Sequence, residues 1–365
     1  MRILSILDWY IIKKFLGTYI FSIILIISIA VVFDVNERLD KFINNDAPLQ
    51  AIVFDYYLNF IPYFANLFGS LFVFISVIFF TSKLAENSEV IAMLSNGMSF
   101  RRLMKPYMIS AAVVSFVTFM MSSFIIPPSN VTRINFQNKY IKDKSVSNVD
   151  KIQIQLSEGS ILYIGRYESR DHTGYNILID KFEGKELVSR LQASRLVYDT
   201  AYHWVLQDYS IRDFNHDKEI VRSGTAIDTT LNITPGDFLI SENGYEQMTT
   251  PVLYDFIQKQ KERGLAVVGN VSVKQYEIAY YQRFASIFSA FILTIIGASL
   301  SSRKMKGGMG MNIGVGLALS VSYILFQTIS SSFAVSGSLS PLVAVWIPNI
   351  VFMFIAALLY SRAPN

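Results

Sequence analysis

The sequence predicts a membrane α-helical bundle of six transmembrane helices with an inserted all-β, jellyroll-like domain, and three observations predict it. Hydrophobic residues make up 52% of the 365 and charged residues only 16%, against roughly 25% charged in an ordinary soluble domain. Nearly two thirds of the charged residues lie between Arg133 and Arg283. On either side of that region the chain consists of long uncharged runs, the layout of membrane spans around a soluble insert. A simple cytosolic protein is thereby excluded.

A helix needs about 20 mostly apolar residues to cross a hydrocarbon core of about 30 Å. Phe15 to Phe33 meets that need without a charge, and so does Tyr56 to Phe80, where Pro62 and Gly69 predict a kink. Pro106 to Ile126 is the third run and Phe284 to Ser302 the fourth. The uncharged stretch from Gly307 to Ser361 has room for two more, divided by the turn Ser336-Gly337-Ser338-Leu339-Ser340-Pro341. The first run is too long for a signal-peptide core and lacks a small-residue cleavage site, so it reads as a retained span.

Lysine and arginine in short loops mark the cytoplasmic side. Arg2, Lys13 and Lys14 precede span one; Lys83, Arg101, Arg102 and Lys105 lie between spans two and three; Arg303, Lys304 and Lys306 lie between spans four and five; Arg362 ends the chain. The opposite short loops hold only Arg38 and Lys41. Both termini are therefore expected in the cytoplasm and the large insert outside. With an external domain and no cysteine, a bacterial inner membrane facing a periplasm fits.

The insert changes pattern to short alternating runs. Ile152, Ile154 and Leu156 alternate with Gln153 and Gln155; Ser160 to Tyr167, Tyr175 to Phe182, Leu187 to Tyr198, Trp204 to Phe214 and Thr225 to Ile233 are further strands, separated by glycines and by Asn215-His216-Asp217. Many short strands without helical interruption predict an antiparallel sandwich, barrel or jelly roll, whose exposed edges can accept another sheet. Thr250-Pro251 then starts a helix that Gly264 stops, and a second helix begins near Ser272 and runs into span four. The expected division is residues 1–129 for spans one to three, with a cytoplasmic helix at about 82–99; 130–248 for the β domain; 249–283 for connecting helices; and 284–365 for spans four to six.

Catalysis finds little support. His172, His203 and His216 show no metal spacing and read as surface or turn residues. With no cysteine, thiolate zinc sites and cysteine nucleophiles are excluded. The run Lys306-Gly307-Gly308-Met309-Gly310-Met311 lacks the lysine followed by serine or threonine of a phosphate loop, so neither ATP nor any other cofactor is expected on this chain.

The segment from Ser82 to Ser99 is different. Its residues are good helix formers, and Glu86, Glu89, Met93 and Gly97 share one face at three-to-four-residue spacing. Anionic lipid would repel the two acids, so the face suits a basic groove on a protein partner, with an adaptable methionine beside the carboxylates. A solvated helix with ordinary surface acids is the competing reading.

Six spans, a β insert between spans three and four, and the run Leu84-Ala85-Glu86-Asn87-Ser88-Glu89-Val90-Ile91-Ala92-Met93-Leu94-Ser95-Asn96-Gly97 together resemble the LptF/LptG permease family, the membrane subunits of the lipopolysaccharide-export ABC transporter. The resemblance covers nearly the whole chain. Ser88-Glu89-x-x-x-Met93-x-x-x-Gly97 is similar to that family's coupling helix, and the opening Leu7-Asp8-x-Tyr10-Ile11 resembles LptG more than LptF.

The resemblance implies a non-catalytic subunit, with ATP and Mg bound by a separate LptB-like ATPase dimer whose groove takes Glu89. It further implies a homologous LptF/LptG-like membrane partner, LptC/LptA-like periplasmic jellyroll proteins and lipopolysaccharide as cargo, with no nucleic acid. The acyl chains would occupy an apolar cavity lined by spans one, two and five. LptG relatives are expected to place a lysine near the outer end of span one. Here only Arg38 and Lys41 stand in that neighbourhood, one to two turns further out, and they fit either a headgroup contact or ordinary interfacial anchors. The rival classes are a mechanotransmission ABC subunit or a structural envelope anchor that moves no lipid.

Overall fold

The computed structural model describes residues 5–141, 148–157, 159–169, 171–200, 202–215, 218–235, 244–262, 267–268, 271–302 and 308–363. Arg2, His216, Gly264, Arg303, Lys304 and Lys306 lie outside the described residues. Two compact units emerge, one formed by 1–136 with 277–365 and the other by 137–276.

Helix α1 (Ile6–Asn44) starts with a capping box: the Asp8 amide donates to Ser5 Oγ at 3.2 Å and the Ser5 amide to Asp8 Oδ2 at 2.8 Å. Its 39 residues measure about 58 Å at 1.5 Å per residue, far more than the uncharged run from Phe15 to Phe33. The surplus at the far end is polar and helix-compatible, and Arg38 binds Asp34 one turn back at 2.7 Å.

Span two is broken at one of its two expected points. After α2 (Leu49–Ala51), a π-turn (Ile52–Tyr57) and α3 (Leu58–Leu67), the chain steps at Phe68 before α4 (Gly69–Glu86). Pro62 stays inside α3 without ending it, and the break falls beside Gly69. A short helix α5 (Glu89–Ser95) leads into α6 (Phe100–Met120). A second π-turn (Met121–Ile125) then carries the chain into α7 (Ile126–Tyr140). Pro127 and Pro128 follow directly on the third uncharged run, which ends at Ile126. Lacking N–H groups, they sit in the first turn of α7 behind that wide turn, so the helix continues ten residues past Asn130, where the β region was expected to open.

In the second unit six strands follow one another in chain order, each antiparallel to the next: β1 (Asn148–Ser157), β2 (Ser160–Glu168), β3 (Thr173–Glu183), β4 (Glu186–Thr200), β5 (His203–Asn215) and β6 (Lys218–Thr230). Their connections are short hairpins, so the described strands form an up-and-down meander with β1 and β6 at its edges. One face buries Ile152, Ile164, Ile177, Leu196, Trp204 and Leu206.

Strand β6 starts seven residues before the expected Thr225, because pairing from Asn215 opposite Lys218 extends it while nearly all of its side chains stay exposed. No inward alternation marks such a strand in the sequence. Leu231 and Ile233, expected at its end, instead close the core, where Trp204 Nε1 donates to the Ile233 carbonyl at 3.0 Å. Helix α8 (Thr250–Glu262), the short strands β7 (Val267–Val268) and β8 (Val271–Ser272), and the first turn of α9 (Val273–Ser301) complete this unit, with Tyr276 packed against Tyr245 and Phe256.

The bundle is finished by α9, α10 (Gly308–Val335) and α11 (Pro341–Ser361); the last two flank a turn in which Gly337 has φ +94°, the left-handed value glycine permits. Helix α4 is the centre, packing against α1 on one side and α10 on the other. A Cβ added at Gly297 of α9 would stand 3.0 Å from Val77 Cγ1 and 3.3 Å from the Phe74 ring of α4, so glycine sets that close approach. Asn349 of α11 knits three helices together, donating to the Ala285 carbonyl of α9 at 2.9 Å and accepting from the Tyr323 hydroxyl of α10 at 2.8 Å.

Candidate functional site

The segment between spans two and three is two pieces of helix divided by a sharp corner. Helix α4 ends at Glu86, and Ser88 turns the chain with φ +60°, left-handed for a residue with a side chain. Helix α5 then runs for only seven residues. It is stopped by Gly97, φ +84°, in a Schellman motif: the Met98 amide donates to the Met93 carbonyl at 3.3 Å and the Gly97 amide to the Leu94 carbonyl at 3.0 Å.

The expected single face of Glu86, Glu89, Met93 and Gly97 is therefore corrected. Glu86 closes α4 and is exposed, Gly97 is the stop of α5, and only Glu89 and Met93 belong to the short helix itself. Helix-forming composition hid the corner because neither Asn87 nor Ser88 breaks a helix strongly.

Val90, buried to 1% exposure, anchors α5, and Met93, Leu94 and Met98 pack beside it on a cluster that includes Ile11, Phe15, Phe80, Leu84, Phe100 and Leu103. That cluster draws on α1, α4 and α6, so α5 rests on three spans at once. Glu89, half-buried at the first position of α5, accepts a hydrogen bond from the Tyr10 hydroxyl of α1 at 3.0 Å and one from Asn87 Nδ2 at 3.3 Å.

The start of α6 is fixed to α1 as well. Arg102 grips Asp8 with both guanidinium nitrogens, at 2.6 and 2.7 Å, and reaches Ser5 Oγ at 3.3 Å. Asp8 and Tyr10 belong to the opening motif Leu7-Asp8-x-Tyr10-Ile11, in which they stand two residues apart and so on different sides of α1; their partners at positions 102 and 89 were not legible. The outward side of α5 exposes Ile91, half open to solvent, together with Ala92, Ser95 and Asn96.

At the other end of α1, Arg38 and Lys41 have different surroundings. Asp34 is the hub: it binds Arg38 Nε at 2.7 Å and accepts from the Tyr56 and Tyr57 hydroxyls, both at 3.2 Å. Arg38 also lies over the Tyr56 ring, 5.6 Å from its centroid, whereas Lys41 is exposed. Beside this cluster is an apolar cavity of about 710 Å³ lined by Val35, Leu39, Phe42, Ile52, Val53 and Tyr57.

The three histidines do not converge among the described residues. His172 occupies a turn with φ +47°, and His203 Nδ1 lies 3.3 Å from Asp199 Oδ2 at a hairpin. The described residues contain no group of three or more His, Cys, Asp or Glu able to hold a metal ion.

Comparison with known proteins agrees with this architecture along the whole chain. It is 17% identical over 366 aligned residues to the lipopolysaccharide export system permease protein LptG of Escherichia coli K12, covering 99% of each protein. The LptG of Escherichia coli O6:H1 matches equally. The family model for the lipopolysaccharide export system permease LptF/LptG matches residues 9–362, so nearly every element from α1 to α11 falls within it, and the chain belongs to the LptF/LptG permease family.

Proposed function

We propose that this chain is a non-catalytic transmembrane subunit of an ABC transporter that extracts lipopolysaccharide from the inner membrane and passes it to a periplasmic bridge. ATP and Mg are bound by a separate LptB-like ATPase dimer, and a second LptF/LptG-like chain completes the membrane part. The termini and α5 face the cytoplasm and the β unit faces the periplasm, as the loop charges require.

The observation that carries this reading is the seating of α5. A short helix resting on three spans, and tied to α1 by Tyr10 and Glu89, cannot move without carrying α1, α4 and α6 with it. Force applied to its outward side by a nucleotide-driven partner therefore becomes motion of the spans.

The lipid side follows from the same bundle. Withdrawing acyl chains costs about 0.8 kcal/mol for each methylene removed from lipid, so a path must keep them out of water. Helices α1 and α10 are the least enclosed of the candidate spans, and both flank α4, which makes spans one, two and five the walls of an apolar hollow. The cavity beside Arg38 lies at the outer end of that path. Arg38, held by Asp34, and the exposed Lys41 are the two cations at that end for an anionic headgroup. Among the described residues β1 and β6 end the meander, and such edge strands offer backbone groups to which LptC/LptA-like sheets can add.

The test uses the complex in proteoliposomes. Glu89→Ala and Glu89→Lys are expected to lower lipopolysaccharide release to an acceptor by about ten-fold or more while the chain still inserts, and Tyr10→Phe to cause a smaller loss in the same direction. Full transport by Glu89→Lys with an unaltered ATPase rate would refute the coupling role.

A further inference from the structure

Arg101 and Lys105 stand one turn apart on α6, and between α6, α9 and α11 a second cavity of about 550 Å³ opens beside them. Its interior is apolar, formed by Met104, Met108, Ile109 and Ile295, with Tyr360 at its rim. The two cations are exposed, and no acid is among the described residues that line the cavity. Their neighbour Arg102 turns the other way and is taken up by Asp8. No ion pair joins Arg101 or Lys105 to any described residue, so their charge remains for a ligand.

We propose that this cavity is a binding site for one membrane phospholipid with an anionic headgroup, drawn from the leaflet that bathes the α5 end of the bundle. Charge complementarity identifies the occupant. A guanidinium presents a fork that matches two phosphate oxygens, and an ammonium adds a point charge beside it. The cations sit at the end of an oily slot between helices, so the phosphate stays at the rim while the acyl chain lies along Met108, Ile109 and Ile295. Basic pockets between spans hold anionic headgroups on this principle. The volume falls within the range of small-ligand pockets, and Tyr360 can donate to an ester carbonyl. The site lies at the opposite end of α1 from the Asp34–Arg38 cluster and is independent of the lipid-export reading. A lipid wedged between α6, α9 and α11 beside the α5 platform would stiffen the part of the bundle on which α5 rests.

The experiment is native mass spectrometry of the detergent-solubilised complex, incubated with equal amounts of phosphatidylglycerol and phosphatidylethanolamine. One phosphatidylglycerol per chain should be retained with a preference of about 25-fold, each of the two cations near the surface being worth about five-fold. Arg101→Gln with Lys105→Gln should abolish the preference, and Lys105→Gln alone should reduce it by about five-fold. Ala112→Trp, which fills the slot and leaves both cations, should lower retention of either lipid. Millimolar inorganic phosphate should not displace the bound lipid. Equal retention of the two lipids, or an unchanged preference in the double variant, would show ordinary boundary lipid and overturn the proposal. Displacement by inorganic phosphate would show a simple anion site and overturn it as well. The Gln variants alter only exposed side chains, so co-purification of the partner subunits should be unchanged.

Discussion

At the scale of single residues, two contacts carry the account, Tyr10 with Glu89 and Asp8 with Arg102. Both reach from α1 across roughly eighty to ninety positions of sequence to the α5–α6 corner. The Arg102 pair is the stronger by geometry, since both nitrogens engage and the Asp8 side chain is only 3% exposed. Asp8→Ala should therefore cost about 1.5–3 kcal/mol, the range of hydrogen bonds to charged groups, read as a lower melting temperature of the detergent-solubilised chain. Arg102→Ala should cost a similar amount, and the double variant less than the sum. Additive losses would show that the two residues do not act as a pair.

Asn349 offers a check inside the bundle. Asn349→Leu removes two interhelical hydrogen bonds, each worth about 0.6 kcal/mol on average in membrane proteins, and should destabilise by about 1–2 kcal/mol. A neutral result would mean that packing alone joins α9, α10 and α11. In the β unit, the Ser189 hydroxyl and the Arg222 guanidinium hold the Asp213 carboxyl below the usual carboxylate range. A depressed folded value adds stability above the unfolded value of about 3.9, and that stability is lost as pH falls through the folded one. Wild type should consequently lose thermal stability below about pH 4 more steeply than Asp213→Asn; parallel curves would deny the contribution.

At the scale of elements, what could be read in the sequence depended on what holds each element together. Uncharged runs declare spans because the solvent is lipid, and each of the six meets a candidate membrane-spanning helix, although Tyr56 to Phe80 is divided between α3 and α4. The strands β1 to β5 declare themselves by alternation because one face is buried. Strand β6 does not, since its pairing is made by backbone and its side chains face solvent. The corner at Ser88 and the wide turn before Pro127 were hidden for a related reason: both are settled by tertiary packing around residues that locally favour, or tolerate, a continuous helix. Of the candidate site, the acids and the glycine were legible as types, but their partners lie on other helices and no spacing rule reaches them. The α4–α9 approach provides the element-scale test. Gly297→Leu would drive a side chain into Val77 and Phe74 and should reduce the yield of folded protein severalfold, whereas Gly310→Ala, with open space around it, should leave the yield unchanged.

At the scale of the whole molecule, membership of the LptF/LptG family joins the bundle and the β unit in one purpose. The bundle keeps α4 enclosed while α1 and α10 leave apolar faces open, and the α5 platform sits where several helices begin or end. A soluble motor acting there could reach α1, α4 and α6 without entering the membrane. The chain contains no cysteine, so one introduced thiol reports on one place. The most direct test of the coupling claim is a cross-linking measurement with Ile91→Cys, on the outward side of α5, in the complex purified from native membrane. The account predicts a specific cross-link from position 91 to the nucleotide-binding subunit that changes in yield between the nucleotide-free and ATP-trapped states. A thiol that stays equally open to a water-soluble reagent with and without that subunit, and forms no cross-link to it, would contradict it.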